Sequence, residues 1–299
     1  MANIAKKYYN EEISRLNSIN NRYEELSGVA RNLNLLALQD KLAPVFHREA
    51  EIEAIQKLML RRTKPNALLT GPAGCGKTAI AEALAIHIAH MRVAWCNEDA
   101  KAQREYDKAY SKWLDTEGGE EPVRKEVPKP PLCDAVIFDL SMNAMVSGSR
   151  YRGDFEEKLQ KIMNICKREP NIILFIDEIH QMCEMGKADG ASGMGQILKP
   201  ALARRFSDVE IRPLCGEKAL STAGCILADY EKFHGVSVRE VSAENILEMV
   251  NFHIGGVFPN NFIDVIDEAM SGARYEGHTS IGLREIKATL SRMTGNIIL

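Results

Sequence analysis

The chain has 299 residues, 45% of them apolar and 26% charged, with 38 Lys and Arg against 41 Asp and Glu for a net charge of −3. These fractions exclude disordered, collagen-like and disulfide-scaffold classes, and the length suffices for a large core plus a smaller second one. No global basic excess exists to drive binding to nucleic-acid phosphates or anionic lipid. The seven cysteines (Cys75, Cys96, Cys133, Cys166, Cys183, Cys215 and Cys225) are odd in number, scattered and without a C-x-x-C, so they read as reduced thiols rather than a disulfide frame or zinc site. The first ten residues carry no apolar signal region, and runs such as Ile172–Ile176 are too short to span a bilayer. The expectation is a soluble cytoplasmic protein with no membrane partner.

In chain order, residues 3–27 are polar and helix-favouring, with Leu16, Ile19, Tyr23 and Leu26 at three- and four-residue steps. One narrow apolar stripe on a helical arm (1–40) follows from that spacing. Such an arm either binds a partner or packs on its own domain. From about Leu42 short apolar runs alternate with helical stretches. Asn66–Thr70, Ala135–Asp139 and Asn171–Ile176 read as strands, and Lys77–Met91 and Asp154–Lys167 as helices. This alternation predicts an α/β domain over 41–214, a parallel sheet with helices on its faces, with Val209–Leu214 as the last strand. Residues 94–133 break the rhythm. They hold Trp95, Trp113 and four of the eleven prolines, and they read as an insertion, a helix followed by an extended return. After Cys215 strand signals fade, and helices near 217–233, 242–254, 260–272 and 282–293 predict a small helical domain over 215–299.

The segment Gly71-Pro72-Ala73-Gly74-Cys75-Gly76-Lys77-Thr78 fits G-x-x-x-x-G-K-[ST] without deviation, between a strand ending at Thr70 and a helix opening at Lys77. Its glycines let the backbone turn its N–H groups inward on an anion, and the helix N-terminus adds partial positive charge. Lys77 can reach the terminal phosphates of a nucleotide, and the Thr78 hydroxyl can ligate Mg²⁺; Ala79 follows as part of the same binding segment. Asn171–Ile176 then delivers Asp177 and Glu178 at its C-terminal end, where ligands collect in parallel sheets. Asp177 would hold Mg²⁺ and Glu178 would polarise the attacking water. His87 and His90 share a helix face without an acidic partner and read as packing rather than metal ligands, and no H-E-x-x-H or G-x-S-x-G occurs, so no peptidase chemistry is encoded.

Together these motifs closely resemble the first ATPase module of the AAA+ Clp unfoldases, the ClpA, ClpB and ClpC group, from about Leu42 to the C-terminus. Ser149–Leu159 is similar to the family's first pore loop and following helix, Gly186–Gly190 to the second, and Leu198–Ala203, Ala203–Phe206 and Phe258–Ala269 to further family stretches. The resemblance implies a P-loop sheet with a helical lid, ATP and Mg²⁺ bound at subunit boundaries, and a homo-hexameric ring acting on polypeptide substrates. It places Arg150, Tyr151, Arg152 and Gly153 in the pore and makes Arg204 and Arg205 arginine fingers for a neighbour's γ-phosphate. Val45 and Phe46 occupy the family's adenine-side turn, with Phe46-His47 where an Ile-Gly pair is usual. An adaptor or peptidase partner is not identifiable, and Ile281-Gly-Leu283 matches a peptidase-docking tripeptide by chance.

One family segment is missing. After Lys199–Ala203 the family continues into a sensor 1 strand and a helix, whereas here Arg204-Arg205-Phe206 follows directly, 27 residues (204 less 177) beyond Asp177. That strand would lie in the sheet between Asn66–Thr70 and Asn171–Ile176, which must then pair directly or keep open edges. Three readings stay open: an ATP-driven motor that unfolds or remodels protein, a hydrolysis-impaired scaffold or regulatory subunit of a related ring, and a nucleic-acid-directed ATPase. The Tyr151 loop and the charge balance speak against the third.

Overall fold

The computed structural model describes residues 2–114, 120–147, 152–177, 179 and 206–298. They form two compact units, Met1–Pro44 with Ala81–Leu202, and Val45–Ile80 with Ala203–Leu299.

In the first unit the chain opens with α1 (Ala2–Arg22), α2 (Glu24–Ser27), β1 (Ala30–Asn32) and α3 (Leu33–Leu38). The stripe on α1 and α2 is core rather than a free face: Leu16 and Leu26 are fully buried, with Ile19 and Tyr23 packed beside them. Asn32 caps α3 by accepting from the Leu35 N–H at 3.1 Å. The long helix α5 (Lys77–Leu114), which enters this unit at Ala81, is followed by β3 (Val136–Leu140), α6 (Met142–Ser147), α7 (Arg152–Arg168) and β4 (Ile172–Ile176). Sheet order is β1-β3-β4. β1 runs antiparallel to β3, with Ala30 opposite Leu140, and β3 runs parallel to β4, with Val136 opposite Ile172. The parallel pair is reached through the α6–α7 crossover, as such pairs require. Val136, Phe138 and Leu140 of β3 are buried, and buried Asn34 fastens that strand by donating to the Ala135 carbonyl and accepting from the Ile137 N–H.

The helix expected over Lys77–Met91 continues without a break to Leu114, because residues 92–114 contain neither Gly nor Pro. Thirty-eight residues at 1.5 Å each make a rod of about 57 Å. Ala102 is buried, and Tyr106, Tyr110 and Trp113 stack along the rod at centroid spacings of 5.7 and 5.6 Å. The return from residue 120 is tied to the same helix. The Trp95 indole N–H donates to the Val127 carbonyl at 3.2 Å, Lys129 lies 5.0 Å from the Trp95 ring centre, and Arg124 meets Asp99 at 2.5 Å.

Arg92 joins α1, α5 and the end of this return. Its guanidinium pairs with Glu12 at 2.8 Å and with Asp134, and Glu12 also accepts from Arg15. Glu12 is only 5% exposed. Without Arg92, Glu12 keeps Arg15 and Asp134 keeps Lys129, so the loss is that of charge-assisted hydrogen bonds rather than of a whole buried pair. Arg92→Ala should therefore lower stability by about 1.5–3 kcal/mol, visible as a reduced urea midpoint. A midpoint equal to wild type would reduce this cluster to a solvated surface pair.

The second unit contains α4 (Glu49–Met59), β2 (Asn66–Thr70), the loop 71–76, the first turn of α5 and β5 (Phe206–Glu210). A helical bundle follows: α8 (Gly216–His234), β6 (Ser237–Val238), α9 (Ala243–His253), α10 (Asn260–Tyr275), β7 (Ser280–Ile281) and α11 (Leu283–Thr294). On α10, Phe262, Val265, Ile266, Ala269, Met270 and Ala273 recur at three- and four-residue steps and face one core with Val250, Ile286 and Leu290. The Ser242 hydroxyl caps α9 by accepting from the Asn245 N–H at 3.2 Å, and Gly235 closes α8 with φ +68°.

Two expectations are corrected here. The last strand is Phe206–Glu210, not Val209–Leu214, because it pairs in parallel register with Asn66–Thr70 and Pro213 supplies no N–H for a ladder. The bundle is not wholly helical, since β6 and β7 pair in parallel, Ser237 opposite Ser280. Of the two alternatives expected for Asn66–Thr70 and Asn171–Ile176, direct pairing or open edges, the second holds among the described residues: β2 has a ladder with β5 alone and β4 with β3 alone.

Candidate functional site, a phosphate loop and its adjoining turn

β2 delivers the chain to Gly71, and α5 begins six residues later at Lys77. The loop between them has positive φ at Gly71 (+153°), Gly74 (+78°) and Gly76 (+93°). A side chain at Gly71 would strike the Ile211 carbonyl, and one at Gly74 would come within 3.0 Å of Asn260 Cβ on α10. Both positions thus demand glycine for space as well as conformation. Cys75 is fully buried beneath the loop, and its N–H reaches the Pro72 carbonyl at 3.4 Å. The Gly74 and Gly76 N–H groups make no backbone hydrogen bond among the described residues. The N–H groups of a first helical turn have no intrahelical acceptors.

Lys77 Nζ donates to the Gly71 and Pro72 carbonyls at 3.0 and 2.9 Å, which keeps the ammonium over the loop rather than out in solvent. Thr78 and Ala79 are half-buried in the same turn. A cradle of inward N–H groups, a helix N-terminus and a local ammonium fit a polyphosphate. Among the described residues no group of three or more His, Cys, Asp or Glu could hold a metal. A Mg²⁺ that arrives with nucleotide needs only one or two protein oxygens, and in this turn the Thr78 hydroxyl is of the right chemistry.

The turn before α4 joins the loop. Val45 and Phe46 are half-buried, and His47 has φ +57° with Nε2 2.9 Å from Ser221 Oγ on α8. Arg48, the next residue, is 4% exposed and reaches the loop itself. Its Nη2 donates to the Cys75 carbonyl at 2.8 Å, while Nη1 donates to Glu51 at 2.7 Å and to the Arg212 carbonyl at 2.9 Å. The structure therefore brings the expected Val45–Phe46 turn and the phosphate loop together within one unit. Sequence reasoning missed Arg48. The available signal was an arginine directly before an acidic helix start, with Glu51 three residues on.

The remaining expected residues are distributed as follows. Asp177 is half-buried at the end of β4, in the first unit. Arg152 and Gly153 open α7. Glu178, Arg150, Tyr151, Arg204 and Arg205 lie outside the described residues, as do Gly186–Gly190 and Leu198–Ala203. No helix among the described residues is long and apolar enough to cross a membrane.

Comparison with known proteins places this arrangement. Residues 44–210 match the AAA ATPase domain and residues 217–297 the AAA lid domain. The ClpC ATP-binding subunit of the ATP-dependent Clp protease from Staphylococcus aureus (strain USA300) is 31% identical over 323 aligned positions, covering 98% of this chain and 35% of the relative. The ClpC of Staphylococcus epidermidis is 30% identical over the same span. This chain thus spans about a third of the length of these curated relatives. An alignment of 323 positions exceeds the 299 residues here, so at least 24 positions (323 less 299) of the relative face no residue of this chain. Among solved structures, the S. cerevisiae Hsp104–ADP complex superposes with a TM-score of 0.67 at 24% identity, covering 91% of this chain and 46% of that one. A closed state of Hsp104 with ATPγS and casein gives 0.66 at 25% identity, covering 91% and 45%. With a phosphate loop on a strand–loop–helix unit, and family matches over both the ATPase and the lid segments, the chain belongs to the AAA ATPase family as a Clp-type AAA+ module.

Proposed function

We propose that this chain is the ATP-binding module of a Clp-type ring, acting on polypeptides drawn through the ring's pore. The observation that carries the reading is the loop at 71–78, with its positive-φ glycines, buried Cys75 and Lys77 ammonium. In this reading Gly71–Thr78 and Ala79 hold the phosphates, Val45 and Phe46 flank the base, and Thr78 and Asp177 share the Mg²⁺. Bound Mg²⁺–ATP supplies the phosphoryl group whose transfer to water drives the cycle. Glu178 takes the proton of that water, and Arg204 and Arg205 of one subunit offset charge on a neighbour's γ-phosphate. Tyr151, between Arg150 and Arg152-Gly153, grips an extended chain without sequence preference through its apolar ring. The functional division is an arm (1–40), an ATPase segment (41–214, insertion 94–133) and a lid (215–299). The setting is cytoplasmic, the assembly a homo-hexamer, and nucleic acid is not a partner.

A second reading is favoured by a specific observation. The ClpC alignment leaves at least 24 positions of the relative unmatched (323 less 299). This supports loss of the sensor 1 segment, and with it a subunit that binds ATP and assembles but turns it over slowly, serving as a scaffold or regulator of a related ring. The deciding measurement is light scattering with and without ATP, beside steady-state ATPase of wild type and Glu178→Gln. A hexamer that forms with ATP supports the ring. An ATPase rate lowered about 10²–10⁴-fold by Glu178→Gln supports the motor, and a rate already near the Glu178→Gln value supports the scaffold. A monomer at all ATP concentrations would overturn both.

A further inference from the structure

Arg48 touches both the phosphate loop and the segment leading into the lid. Its guanidinium is 4% exposed and divides its two terminal nitrogens between them. Nη2 holds the Cys75 carbonyl inside the loop, and Nη1 holds the Arg212 carbonyl two residues past β5, with Glu51 balancing the charge. A peptide unit is planar, with its C=O and N–H pointing in opposite directions. Fixing the Cys75 carbonyl on Arg48 therefore turns the Gly76 N–H to the opposite side of the peptide, away from the guanidinium. The planar fork fixes the distance between its two nitrogens, so a shift of one carbonyl carries to the other or breaks a bond. The segment 211–215 is otherwise tied to the loop region through the Ile211 N–H on the Thr70 carbonyl at 2.6 Å and the close approach of Gly71 to the Ile211 carbonyl. Among the described residues, the Arg212 side chain pairs with Glu210, an exposed contact.

We propose that Arg48 is a positioning residue: it sets the Gly76 N–H for phosphate and transmits occupancy of the loop to the segment 211–215 at the entrance to the lid. This rests on the reading that the loop binds ATP. His47, beside it, ties the same turn to Ser221 on α8, so two consecutive residues connect the base-side turn to the lid. A guanidinium serving only to fill space would need neither carbonyl, and one serving only the loop would leave Arg212 free.

The test is amide hydrogen exchange on the full chain, with ATP binding measured separately by equilibrium dialysis. In wild type, saturating ATP should slow exchange at Gly74 and Gly76 and, by roughly tenfold, at Arg212 and Leu214. In Arg48→Met, at an ATP concentration that saturates that variant, the loop should still be slowed while Arg212 and Leu214 exchange at the ATP-free rate. Arg48→Lys keeps the charge beside Glu51 but replaces the fork by a single ammonium, and should lose the same response. A full response at 211–215 in either variant overturns the proposal, as does a wild type in which ATP slows the loop and leaves 211–215 unchanged. A wild type that responds in the loop but not at 211–215 overturns it even if both variants fail to fold. No ATP binding by wild type in dialysis would instead remove the nucleotide reading, and this inference with it.

Discussion

Lys77→Ala is expected to lower ATP affinity by about 100-fold or more while leaving the fold intact. Lys77 Nζ holds two loop carbonyls, Gly71 and Pro72, at 3.0 and 2.9 Å, and the proposed role of the ammonium is to exchange these for phosphate oxygens. A hydrogen bond to a charged group contributes about 1.5–3 kcal/mol, and two of them correspond to at least two factors of ten at about 1.4 kcal/mol each. The cost to stability is small, because the bonds lost are exposed and the loop's shape rests on its glycines, on buried Cys75 and on Arg48. Dialysis or calorimetry with ATP measures the first effect and a thermal melt the second. An unchanged affinity would overturn the assignment of the loop. A collapsed melt would show that Lys77 supports the loop's structure instead.

Restoring a central strand is expected to raise ATP turnover by about 100-fold, since a 1 Å misplacement of a reacting group can cost that much. The proposed catalytic carboxylates follow β4, and the proposed phosphate loop follows β2. In a parallel sheet, strand ends converge on one ligand because continuous ladders fix their register. By the resemblance, a sensor 1 strand would join β2 and β4 and carry the polar residue that completes positioning of the water. A version with a Clp-like strand and helix inserted after Ala203 should therefore turn over much faster than the natural chain, with ATP affinity changed little. A natural chain that already hydrolyses ATP at ordinary enzyme rates, with no gain from the insertion, would remove the scaffold reading and leave the motor.

What the sequence by itself determined was local. The loop at 71–78 is legible because its glycines, Lys77 and Thr78 act through the backbone of one turn, and the flanking strand and helix are adjacent in the chain. The helices at 216–234, 243–253, 260–275 and 283–294 are legible for the same reason: their apolar residues recur at the helical period, as Phe262, Val265, Ile266 and Ala269 show. The 27 residues from Asp177 to Arg204 (204 less 177) are the sequence's own ground for expecting a missing segment.

Only the tertiary structure decided the pairings. Residues 206–210 include Ser207 and Asp208, so no apolar run announces them, and their register against Asn66–Thr70 is set some 140 residues away. The arm's stripe fits a partner or its own domain equally well by spacing, and the burial of Leu16 and Leu26 settled that it packs in place. Ser237–Val238 and Ser280–Ile281 are too short to carry a periodic signal and exist as strands only because they meet. Arg48 reads as a solvated helix-start arginine until Cys75 and Arg212, 27 and 164 residues away, close on its two nitrogens. Periodicity is a property of neighbouring residues, whereas a ladder or a buried guanidinium depends on which distant backbone groups need a partner once water is excluded.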